Sequence, residues 1–122
     1  FTVNHISKEK INDAHHTSAK YDEDISEFDK TSFQSEYKNN WEAPFVKDSA
    51  VQLGCKYLNE YYLEENGCSM IIASIELIFI RKGLLQNDGW VELAKGDIVT
   101  VNGLDAYALP KTIKRFKYAR PK

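Results

Sequence analysis

Between Ala14 and Tyr21 the chain reads AHHTSAKY, a run of two histidines, two hydroxyls, a lysine and a phenol. Such groups can ligate a metal, build a nucleophile or hold an anion. Spacing argues against the metal. Adjacent helical residues lie about 100° apart, so His15 and His16 cannot face one ion, and His5 stands upstream with no cysteine or acidic ligand at a recognisable interval. One histidine is expected to point outward and the other to be half-buried with a hydrogen bond. A nucleophile fares no better: Ser18 lacks the glycine-flanked elbow, and neither Cys55 nor Cys68 has the electropositive neighbours that favour a thiolate. No Gly-rich phosphate cradle is present, and Glu64 with Glu65 reads as a solvated turn. No catalytic side chain is assigned. What remains is an anionic, planar ligand held by Thr17, Ser18 and Lys20 with aromatic residues nearby. The same residues suit a helix end, where they satisfy the last carbonyls, and pattern alone favours that role.

The elements that must position these groups are mostly strands. FTVNHI at the first residue already alternates like a strand, with no initiator methionine, and reads as a continuation. Ser7 is placed to cap a helix through KEKINDAHHTSA, with Ile11 and Ala14 on one face. Asp24 and Glu27 form a capping-box pattern for a second helical turn reaching about Thr31. Residues 32–47 are polar and aromatic, and predict a long surface excursion carrying Phe33, Tyr37, Trp41 and Phe45.

From Val51 the period becomes two. Val51, Leu53, Cys55 and Tyr57 should face one way and Gln52, Gly54 and Lys56 the other, giving one buried face. A turn at Glu65 to Gly67 returns the chain as a second strand from Cys68 to Ile80, apolar on both faces and therefore expected at the sheet centre. A tight turn at Asn87 to Gly89, a short DIVTV strand and a tail after Pro110 complete the chain. Two long antiparallel strands need a third partner, for which residues 1–6 are the candidate.

Composition sets the outer limits. The 122 residues, 43% apolar and 28% charged, suit one globular domain. A net charge of -2, with only the final KTIKRFKYARPK clearly basic, speaks against a nucleic-acid partner. Met70 to Ile80 is too short and too interrupted to cross a bilayer, so no membrane role is expected. Two cysteines in apolar stretches, outside any CxxC pattern, suit free thiols in a reducing, cytoplasmic setting.

Five stretches carry a family resemblance in order along the chain: FTVNHI, AHHTSAKYDEDISEFDKT, APFVKDSAVQLGCKYL, VNGLDAYALP and FKYARP. Together they resemble the flavin reductase-like FMN-binding split-barrel proteins, in the C-terminal portion of that family. The most specific parts are TSAKY followed by SEF, and the closing GLDAY with YARP. The resemblance implies a mainly β (α+β) fold, part of a split β-barrel with short added helices, in which residues 1–122 form a single partial domain. It implies FMN as cofactor, NAD(P)H as co-substrate, and a homodimer. With that resemblance in hand, position and chemical type assign a flavin-facing edge to Asn4, His16, Thr17, Ser18 and Lys20, with Trp41 and Tyr107 as candidates for covering it. The flavin itself performs the redox chemistry in such proteins, so a missing acid or nucleophile is no objection. The alternative is a non-catalytic split-barrel remnant acting in protein association, and a fold alone does not exclude haem or a deazaflavin.

Overall fold

The computed structural model describes residues 1–121. Its elements are β1 (Thr2–Asn4), a 3-10 turn at Lys8–Lys10, α1 (Ile11–His16), a 3-10 turn at Glu27–Asp29, β2 (Ser35–Glu36) and β3 (Phe45–Val46). They continue with β4 (Val51–Leu63), β5 (Cys68–Ile80), a 3-10 turn at Leu93–Gly96, β6 (Thr100–Asn102) and β7 (Ala106–Ala108). The fold is thus mostly strand with one short helix, and its strands form three separate antiparallel sheets rather than a closed barrel.

The main sheet has the order β1-β4-β5. The opening strand is the third partner that the hairpin needs, pairing Thr2 with Gly54 and Asn4 with Gln52. That order puts β4 in the centre and leaves β5 at an edge, so the central position expected for β5 is corrected. Its apolar character on both faces does not report burial: Met70, Ile71, Ile72, Ile75 and Ile78 are all exposed. The hairpin turn forms as the sequence implies. Gly67 takes a positive φ of 68° and donates its backbone N–H to the Leu63 carbonyl.

Strand β4 does not keep one buried face. From Val51 to Cys55 it is enclosed on both sides, Leu53 less completely than its neighbours, and from Lys56 onward it is exposed. The surprise is Gln52, 2% exposed, in a position read as solvent-facing. Its amide is fully occupied: Nε2 donates to the Val46 carbonyl at 2.6 Å, and Oε1 accepts from Lys38 Nζ at 2.8 Å. A paired buried amide avoids the desolvation cost that makes an unpaired one expensive.

Residues 32–47 also depart from expectation. They are not purely a surface excursion, because Phe45 is 0% exposed and packs edge-on against Phe79 at 5.4 Å. The short β2–β3 pair supplies backbone partners for the segment, Glu36 opposite Phe45. Trp41 closes over β4 at Gly54, where an added Cβ would come within 3.2 Å of the indole and 3.1 Å of Leu77. A strand glycine here serves close approach rather than a turn.

The remaining core is Ala50, Val51, Leu84 and Ile98, with Leu53, Ile80, Val91 and Leu93 packed on it. Ser7 contributes no side-chain cap to its 3-10 turn, and Ser26 rather than Asp24 caps the turn at Glu27, accepting from the Phe28 N–H. Cys55 is buried as expected, whereas Cys68, at the hairpin tip, is exposed. Among the described residues after Pro110 there is no regular structure. Arg115 tethers it, pairing with Asp88 at 2.6 Å and stacking over Trp90 at 4.2 Å.

Since Phe45 is the largest fully buried apolar side chain, Phe45→Ala should lower folding stability by about 3–5 kcal/mol. Urea unfolding followed by tryptophan emission measures this directly.

Candidate functional site

A cleft of about 810 Å³ opens between the two ends of the chain. One wall comes from β1 and the segment after it, through Asn4, His5 and Ile6, and from α1, through Ala14 and Thr17. The i, i+3 spacing of Ala14 and Thr17 puts both on one side of the helix. The adjoining wall, paired edge to edge with the first, is Ile98, Val99 and Thr100, with Tyr107 from β7. Phe28 and Phe33 line the cleft as well.

Backbone bonds tie these walls together. The Val99 N–H donates to the Ile6 carbonyl at 3.0 Å, and Lys8 N–H to the Asp97 carbonyl at 2.9 Å. Asp97 adopts a left-handed conformation (φ 51°) at the end of its 3-10 turn, and its carboxylate accepts from Lys8 Nζ at 2.8 Å. Across the cleft His15 Nδ1 lies 3.1 Å from the Tyr107 hydroxyl, with the two rings edge to face.

The polar groups of the cleft are largely committed as donors. Asn4 Nδ2 donates to Thr2 Oγ1, while its Oδ1 accepts from the Val46 N–H. Thr17 Oγ1 donates to the Ala14 carbonyl at 2.7 Å, and Thr100 Oγ1 to the Ala108 carbonyl at 3.3 Å. Both hydroxyls keep lone pairs, so towards a ligand they act as acceptors. Burial pushes the His5 imidazole below its usual 6.5, which keeps the ring neutral, with one donor and one acceptor nitrogen.

The structure gathers Asn4, Thr17 and Tyr107 around this cleft and leaves the other sequence candidates outside its lining. His16 is exposed and turns edge-on to Tyr21, so neither of the paired histidines is the half-buried one. Ser18 donates to the His15 carbonyl at 2.7 Å, the helix-end role weighed for it above. Lys20 is exposed. Trp41 belongs to the packing over Gly54. The residues that sequence reasoning missed are His5, Phe28, Phe33 and Thr100. Phe28 is the last residue of the SEF motif, which was the available signal, whereas His5 and Thr100 sit in short strand-like stretches whose pattern marks a strand and no ligand contact.

No family model matches the sequence, and no curated protein does. Solved structures do. A protein of Shewanella frigidimarina, provisionally assigned as a flavin reductase with a split barrel domain, is similar at 36% identity with a TM-score of 0.93, over 97% of this chain and 60% of that one. This chain has the flavin reductase-like split-barrel fold. Flavoredoxin of Desulfovibrio vulgaris shares the fold at 17% identity (TM-score 0.79; 97% of this chain, 62% of that one). So does nitrilotriacetate monooxygenase component B of Bacillus cereus, at 16% identity (TM-score 0.78; 96% and 58%). The chain therefore spans about three fifths of the length of these split-barrel proteins.

His5 gives the cleft a pH signature. A depressed folded pKa means that the unfolded chain binds a proton first as pH falls below 6.5. The His5 contribution to stability is complete above 6.5 and lost as pH drops through the folded value. Denaturant midpoints measured from pH 7.5 to 5 should fall less steeply in a His5→Asn variant.

Proposed function

We propose that the cleft binds the ring system of a flavin, FMN, and that the chain is the C-terminal portion of an oxidoreductase of the flavin reductase type drawing electrons from NAD(P)H. The observation that carries this reading is an apolar, aromatic-walled slot of ligand size with a few convergent polar groups, in a fold otherwise held by a protein assigned as a flavin reductase. Phe28, Phe33 and Tyr107 offer flat apolar surface for a planar ring. Thr17 and Thr100 present acceptor oxygens, and neutral His5 can donate to or accept from a ring heteroatom. When bound, the flavin supplies the hydride and electron transfer. The chain's residues bind the ring, orient it and exclude water from its face. Free thiols at Cys55 and Cys68 suit a cytoplasmic location.

The homodimer belongs to the same reading. By the cross-strand register Tyr61, Leu63, Met70 and Ile72 share one face of the hairpin, all exposed. Apolar patches of this kind mark association surfaces. That patch also favours the second reading, a chain that only associates, in which oligomers form and flavin is ignored.

Two measurements separate these readings. Added FMN should lose fluorescence on binding, and Tyr107→Ala should weaken that binding about tenfold while the fold survives; unquenched FMN would leave association alone. Met70→Lys should shift the chain from dimer to monomer in sedimentation velocity, and a wild-type chain that is already monomeric sinks the homodimer.

A further inference from the structure

The charge around the cleft does not match a ligand with an anionic tail. Among the described residues its lining contains no lysine or arginine, and its one charged side chain is Glu27. Glu27 has no ion pair among the described residues, so its carboxylate is uncompensated. Three of the side-chain donors are spent, one Asn4 amide proton on Thr2 and the Thr17 and Thr100 hydroxyl protons on backbone carbonyls, and the donors that remain, at Asn4, His5 and Tyr107, are uncharged. A phosphate oxygen accepts hydrogen bonds and offers none, so lone pairs on two threonines cannot serve it.

The cations lie elsewhere. Lys10 stands over the Phe33 ring at 5.9 Å, but it donates to Ser32 and lines a neighbouring recess with Lys47 and Arg81. Within that recess Glu9 and Asp48 offset much of their charge, Lys47 donates to Gln34, and Arg81 donates to the Asp48 carbonyl.

We propose that the cleft selects an uncharged planar heteroaromatic ring bearing N–H donors, with Glu27 disfavouring any ligand that carries an anionic tail. This sharpens the flavin reading on which it rests: in this chain the isoalloxazine ring supplies the affinity, and the phosphate of FMN supplies none. The N–H of such a ring meets acceptor oxygens at Thr17 and Thr100. Its flat faces meet Phe28, Phe33 and Tyr107.

The test titrates the 122-residue chain with lumiflavin, riboflavin and FMN, following fluorescence quenching at about 20 mM and about 500 mM salt. Riboflavin should bind at least as tightly as FMN. The deficit of FMN should be about three- to tenfold at low salt and shrink at high salt, as expected for a screened carboxylate–phosphate repulsion. Glu27→Gln, a change at an exposed turn position, should bring FMN level with riboflavin. An FMN affinity tenfold above that of riboflavin, lost at high salt, overturns the proposal and leaves the flavin reading standing, with the phosphate in the recess of Lys10, Lys47 and Arg81. Absence of quenching with all three ligands overturns the flavin reading, and this proposal with it.

Discussion

A buried knot of polar groups joins three strands, and the cleft is built on it. Gln52 in β4 donates to the carbonyl of Val46 in β3, and the N–H of the same Val46 donates to Asn4 Oδ1 in β1. Asn4 is in turn the register partner of Gln52. Each of the three residues therefore fixes the other two. Gln52 is almost wholly buried, so leaving its amide unpaired would cost about 1–3 kcal/mol. Asn4 and Val46 line the cleft directly, and the knot thus sets the position of that wall to within a hydrogen bond.

The knot also explains why β4 changes character along its length. Strand β1 is three residues long, and the opening strand's last backbone bonds to β4 join Phe1 and Cys55. Up to Cys55 the long hairpin is flanked by β1, roofed by Trp41 and packed on Phe45. Beyond it no third strand is present among the described residues, and Tyr57, Leu58, Tyr61 and Tyr62 are exposed beside the isoleucines of β5. The register shifts between Gly54 and Cys55 and between Tyr57 and Asn59 fall at this boundary. Bulges bend and twist a hairpin, and here they separate a root held by packing from a tip that offers its apolar face to whatever covers it.

The strand pair, its turn at Gly67 and the pairing of the opening strand were legible because period-two patterning and turn glycines are local signals. The burial of Gln52 and Phe45 was not. Both depend on a loop folding back over β4, a contact between residues distant in sequence that no local period encodes. Misjudging β5 has a related cause: apolar residues on both faces look alike whether a strand lies at the centre of a sheet or at its edge. The same limit governs the site. Thr17 and Tyr107 stood in quotable motifs, whereas His5, Phe33 and Thr100 become neighbours only when the two ends of the chain meet.

That meeting of ends makes the cleft mechanically separate from the hairpin tip. Its walls are joined by Val99 to Ile6, Lys8 to Asp97 and His15 to Tyr107, bonds between the first seventeen residues and the last twenty-six. None involves the hairpin beyond Cys55. A ligand held by both walls would be bound only when this seam is closed, so its binding energy would stabilise the seam by mass action and not the hairpin tip. The chain therefore has two separate surfaces, one an open cleft with a polar edge, the other broad and apolar. Between them lie the buried β4 residues from Gln52 to Cys55 and the root of β5, where Ile80 packs on the core with Ile98.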